Sequence, residues 1–200
     1  MDFLATTYNE SYVRTYNLAY GGATVDSDLV APYEPTVISM KEQVEDLFIP
    51  TYSAKPESAP WTGDDTLFLF WIGINDVGNS YWEDYDELYD NIFVVYRDLV
   101  DQISQAGGKN FLFINVPPVD QSPLTAEQGA DSQALEATAI ESFNSRINDL
   151  ASEVQAADEG AGVMQFDSAA VFAEVLADPT SHAETAGYKN TTEYCEDYQK

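Results

Sequence analysis

Two hydrophobic rhythms alternate along the chain. In one, nearly every position of a short run is apolar; in the other, apolar residues recur every three or four positions. Thr66 to Ile72 and Phe111 to Val116 belong to the first kind and predict strands of a parallel sheet covered on both faces. Val163 to Phe166 reads as a last strand, and Tyr16 to Tyr20 as a short strand closed by Gly21-Gly22. The helical rhythm is clearest at Tyr89, Ile92, Phe93, Tyr96, Leu99, Val100 and Ile103, with Gly107-Gly108 as the stop. Leu135, Ala139, Phe143, Ile147, Leu150 and Val154 predict a second long helix, and Ala169 to Leu176 a short one before Pro179. Val37, Ile38, Val44, Leu47 and Phe48 form a further stripe, expected to end before Pro50, with a loop from Pro50 to Asp65.

Strand–helix alternation of this kind means β-α-β units. The expected fold class is α/β: a three-layer α/β/α sandwich around a parallel sheet, with residues 1–200 as a single domain. Ligands of such folds sit outside the carboxyl ends of the strands, which directs attention to the loops after Tyr20, Ile72 and Val116.

Charge narrows the partners. Eight Lys and Arg against 35 Asp and Glu in 200 residues leave a net charge of −27, which repels phosphate backbones and anionic lipid. Neither nucleic acid nor a membrane is an expected partner. The longest apolar run, Leu67 to Ile72, falls far short of the roughly 20 residues of a membrane-spanning helix. With one cysteine, Cys195, and one histidine, His182, no intrachain disulfide and no ordinary zinc cluster is expected. Neither a P-loop, a G-x-G-x-x-G nor a calcium loop occurs, and no metal or organic cofactor is implied. Among so many acids, carboxylate pairs carry no information, and Glu83-Asp84 and Asp86-Glu87 read as solvated charges at the start of the long helix. The tyrosines together with Trp61, Trp71 and Trp82 could make a sugar-binding surface, although Phe70-Trp71 in its strand reads as core. Met1 to Tyr8 has no secretory pattern, yet Asn9-Glu10-Ser11 and Asn190-Thr191-Thr192 are glycosylation sequons.

Candidate chemistry lies in Gly73-Ile74-Asn75-Asp76, directly after a strand. An Asn amide there can donate to an oxygen that turns negative in a transition state, and Gly22 can offer a backbone N–H unshielded by a Cβ. Gly22 and Asn75 would be two donors of one oxyanion hole. The structural alternative is that Asn75 and Asp76 cap a turn or the next helix.

Asn17 to Asp26, with Gly22, and Phe70 to Gly78, with the G-x-N-D run Gly73 to Asp76, resemble two signature blocks of the SGNH (GDSL-type) hydrolases. Phe113 to Pro118 resembles the strand and diproline of the family's fungal branch, and Asp178-Pro179, Gly187-Tyr188 and Tyr194-Cys195 its C-terminal approach. The subgroup it resembles is the fungal acetyl esterases of carbohydrate esterase family sixteen. That resemblance implies an SGNH, flavodoxin-like sandwich, an extracellular glycoprotein, and hydrolysis of acetyl or short-acyl esters of carbohydrate or small alcohols. It assigns Gly22 and Asn75 to the oxyanion hole and implies glycans at Asn9 and Asn190.

The family's nucleophile is the serine of a G-D-S block ahead of the Gly22 block, and its base comes from a D-x-x-H block near the C-terminus. Neither occurs in these 200 residues. Asp26-Ser27-Asp28 follows Gly22 instead of preceding it, and His182 lies four residues from Asp178, in a polar stretch read as an exposed loop. The expectation is a chain truncated at both ends, lacking the first strand and the C-terminal helix, inactive and poorly folded alone. Cys195 would then be half of a disulfide whose partner lies beyond Lys200. The alternative reading is a non-catalytic remnant, or a carbohydrate-binding module of the same fold.

Overall fold

The computed structural model describes residues 3–195, and everything structural below refers to these. Helical turns run from α1 (Met40–Glu42) through a wider, π-wound stretch (Gln43–Phe48) into α2 (Ile49–Tyr52). There follow β1 (Leu67–Trp71), α3 (Ile74–Gly78), α4 (Tyr85–Gln105), β2 (Asn110–Ile114), α5 (Pro123–Gln128), α6 (Ala130–Ala157), β3 (Gly162–Phe166) and α7 (Ser168–Ala177). The strands form one parallel sheet in the order β1-β2-β3, in register Leu67–Asn110–Gly162 through Trp71–Ile114–Phe166. This is the expected α/β class, with a helix crossing between each pair of parallel neighbours.

Strand alternation gives the sheet two unlike faces. Phe68, Phe70, Phe111 and Phe113 share one face. Phe70 and Phe113 stack with centroids 5.4 Å apart, and Tyr96 of α4 packs on both. Phe143 of α6 joins them through Tyr89 and Phe93, so α4 and α6 cover this face side by side. Tyr89, Ile92, Tyr96, Phe113, Phe143 and Val100 are all buried here. Large aromatic side chains in mutual tilted and edge contact supply most of the apolar burial that opposes chain entropy. The opposite face carries Leu69, Leu112 and Ile114, partly buried, with Trp71, Met164 and Phe166 about half exposed.

Several sequence expectations need correcting. Tyr16 to Tyr20, expected as a strand, pairs with no strand among the described residues, and Tyr16 and Tyr20 stand exposed there, Tyr16 against the Tyr52 ring at 5.3 Å. An apolar run makes a strand only where a partner takes its backbone groups. The helix expected to end before Pro50 begins later and runs through it. Ser39 caps its start in a reciprocal capping box with Glu42. Pro50 has no N–H to give, and its ring would crowd the carbonyl four residues back. Bonds spanning five residues flank it, Ile49 N–H to Val44 O and Ser53 N–H to Phe48 O, and this wider winding makes room for the ring. Trp71, read as core, is half exposed because its side chain belongs to the open sheet face, whereas Trp61 is buried under Phe48 and Phe68 and so unavailable as a sugar platform. Leu135, read into the apolar stripe of α6, is also exposed.

Candidate active site

The site is built where β1 ends. Gly73 adopts φ of 114°, a left-handed conformation that other residues resist, and a Cβ there would lie 2.9 Å from Val116 Cγ2 and 3.0 Å from Phe143 Cδ1. This turn points α3 toward the loop that holds Gly22. Asn75 and Asp76 do not cap the helix, whose N-terminal position is Gly73 itself, without a side-chain bond. They reach across to a distant stretch of chain instead. Asn75 Nδ2 donates to Ala23 O at 3.0 Å, and Val25 N–H donates to both oxygens of Asp76, at 3.0 and 3.3 Å. These bonds join residues more than 50 positions apart. Neither side chain caps the helix; each bonds across to the Gly22 loop instead, Asn75 with one of its two amide protons.

The loop is fixed from its other side too. Met40 N–H donates to Thr24 O and Lys41 N–H to Val25 O, so the start of α1 hangs on the same backbone. Thr24 Oγ1 donates to Val30 O, and Lys41 Nζ pairs with Asp26 at 2.9 Å. Gly22, partly buried with φ of 86°, has no intramolecular acceptor for its N–H among the described residues. The Asn75 amide has two protons, of which Ala23 takes one. The Gly22 N–H and the second Asn75 amide proton thus have no acceptor among the described residues, and the bond to Ala23 brings the two donors near one another.

Asp76 is fully buried, and burial pushes its carboxyl up to about 7, against the opposing effect of the Val25 N–H and with a further push from nearby Asp26. Sequence reasoning missed this clamp, having read Asp76 as a cap of a turn or helix and as the last residue of the G-x-N-D run. The signal was the position of an acid at the mouth of a buried strand, where solvent cannot reach it. Beyond β2, Asn144 exchanges two hydrogen bonds with the backbone of Val116, at 2.8 and 2.9 Å, which seats α6 behind Gly73. Buried Glu136 accepts from Thr125 Oγ1 at 2.6 Å, and its carboxyl too is raised by burial. That pair ties α5 to α6.

His182 is exposed, as expected, and its charged neighbour is Glu174, at 3.5 Å. Asp178 accepts from Thr180, and so is not turned toward the imidazole. The structure brings Gly22 and Asn75 together and leaves His182 out. Asn9 donates to Ser11 O, while Asn190 is exposed and accepts from Thr192 Oγ1 in a compact turn. Cys195 is an exposed free thiol. No His, Cys, Asp and Glu cluster among the described residues could hold a metal ion, and no described helix is long and apolar enough to cross a membrane.

Comparison with known proteins matches residues 1–200 to the family of GDSL-like lipases and acylhydrolases. An acetylesterase of Thermothelomyces thermophilus is 36% identical over 185 residues, covering 90% of this chain and 60% of that protein. A thermolabile hemolysin of Vibrio parahaemolyticus is 24% identical over 188 residues, covering 92% of this chain and 40% of that one. The chain thus spans about half the length of the curated relatives it matches.

Proposed function

The chain belongs to the GDSL-like lipase/acylhydrolase family, and from that membership we propose that it carries the oxyanion half of a serine esterase site acting on acetyl or short-acyl esters of carbohydrate or small alcohols. One observation carries the reading. Asn75 is bonded to the residue that follows Gly22, and both keep a donor free. In the reaction a serine attacks the ester carbonyl, the alcohol leaves, and water releases the acyl group. The negative oxygen of each tetrahedral intermediate rests on the Gly22 N–H, the Asn75 amide and the N–H of the serine itself. Because these donors are already fixed by Asp76 and Ala23, they need not reorganise when charge develops. The serine and the histidine base are assigned to blocks outside these 200 residues, and no cofactor takes part.

The test is p-nitrophenyl acetate hydrolysis by the 200-residue chain and by a polypeptide that adds a Gly-Asp-Ser block ahead of Gly22 and an Asp-x-x-His block after Lys200. Turnover only in the longer form, abolished by a serine-directed phosphonate, is expected. Phosphonate-sensitive turnover by the 200 residues alone would overturn the assignment of the nucleophile.

A second reading is a non-catalytic remnant or carbohydrate-binding module of the same fold. It predicts no turnover in either form. We place the protein outside the cell, with glycans on Asn9 and Asn190, which sit in loop segments at the surface. Intact mass before and after deglycosylation, from a eukaryotic secretion host, is expected to differ; equal masses would remove both glycans.

A further inference from the structure

The residue that lies on Gly22 is Tyr33. A Cβ at Gly22 would fall 2.8 Å from Tyr33 Cδ1 and still closer to Cε1, so the phenol ring rests directly on the glycine backbone. Yet Tyr33 is 71% exposed. One side of the ring touches the glycine and most of the rest is open to solvent. Among the described residues the ring gains little from burial, and it stands beside a backbone donor that has no acceptor among them.

Its mounting is stiff. Pro32 and Pro35 bracket the Tyr33-Glu34 pair and restrict the backbone on both sides. Asn79 Nδ2, just past the end of α3, donates to Ala31 O at 3.2 Å, and Val37 N–H donates to Glu34 O. The helix that presents Asn75 therefore also anchors the loop that presents Tyr33. Little ordering remains to be done when something lands on the ring.

We propose that Tyr33 is a stacking platform for the alcohol half of the ester, and that this half is an uncharged pyranose ring seated by its C–H face. The proposal rests on the reading of Gly22 as an oxyanion donor, which places the scissile ester beside the phenol. Chemistry favours a sugar over a fatty chain. An acyl chain is bound by apolar walls that enclose it, whereas Tyr33 is open to solvent, beside exposed Gly21 and Glu34. A sugar has a C–H face for the ring and hydroxyls for the Glu34 carboxylate. The net charge of −27 disfavours acidic sugars and phosphate-bearing lipids.

The experiment is an NMR titration of the longer form, its added serine replaced by alanine so that neither ester turns over, with two probes, the monoacetate of methyl xyloside and propyl acetate. Wild type is expected to bind the xyloside ester more tightly than propyl acetate. Tyr33→Ala is expected to weaken xyloside binding about 3- to 10-fold, the range for loss of one aromatic contact, and Tyr33→Phe to stay within about twofold of wild type. Propyl acetate binding is expected not to respond to either substitution. Equal binding of the xyloside ester by wild type and Tyr33→Ala, or no preference for it over propyl acetate in wild type, overturns the proposal. So does a parallel loss for both probes, which would mean that Tyr33 only props Gly22. Binding is read here without turnover. A stacking platform with no hydrolysis in any form would sink the esterase reading alone, and hydrolysis indifferent to Tyr33 would sink the platform alone.

Discussion

The loop that holds Gly22, buried from Ala23 to Asp26, and the exposed loop that holds His182 are built in opposite ways. Around Gly22 the backbone is held by Asp76, Asn75 and the start of α1, through bonds that cross the sequence. Around His182 the bonds are local. Asp178 serves Thr180, and Thr185 serves Pro179 and His182. Long-range bonds fix a donor relative to another part of the site, whereas local bonds only shape the loop that contains them. Catalysis by preorganised donors needs the first kind. That difference is why the proposed site is placed at Gly22 and Asn75 and not at His182.

The largest expected effect tests what aims the first region. Gly73→Ala must accept a left-handed φ and push its Cβ into Val116 and Phe143. Strain and overpacking together are expected to cost about 3 kcal/mol of stability in urea unfolding. A loss below about 1 kcal/mol would show that the turn after β1 is not constrained as described.

Asp76 provides the next test, and it is one of sign. The folded carboxyl sits at about 7 and the unfolded reference at 3.8, so between these values the folded state holds a proton that the unfolded chain has released. The contribution of Asp76 is therefore complete below about pH 4 and is lost as pH rises toward and through 7. Asp76→Asn keeps an acceptor for Val25 N–H and has no proton to lose. Its stability relative to wild type is expected to improve as pH rises from 4 to 8, in thermal melts taken across that range. A difference that stays flat with pH would mean the carboxyl is solvated.

The smallest effect belongs to the second region. His182→Ala removes a half-exposed side chain paired only with exposed Glu174, and is expected to change stability by less than about 0.5 kcal/mol. The esterase activity of the longer form should be unchanged as well. A hundredfold loss of activity would place His182 in the site and erase the contrast between the two loops.

Much of this was legible in the chain. The two long helices and the strands β1, β2 and β3 follow from local apolar rhythm, whereas the blocks around Gly22 and Asn75 are paired only by their resemblance to the SGNH hydrolases. What stayed hidden depends on neighbours distant in sequence. Tyr16 to Tyr20 has the composition of a strand and no partner to pair with. Pro50 reads as a stop because the wider winding that accommodates it is set by bonds on either side. Asp76 looks like a capping acid until Val25 is found beside it, and Tyr33 like an ordinary loop residue until its ring is found on Gly22.

The central claim is that Asn75 is an oxyanion donor and not a turn residue. Its most direct measurement is the kinetics of Asn75→Ala in the form that carries the serine and histidine blocks, with short-acyl esters as substrate. The account predicts a fall in kcat of about 10²- to 10³-fold with KM little changed, since the lost bond forms fully only in the transition state. A loss of less than about fivefold would contradict it, leaving Asn75 as a strut for Ala23.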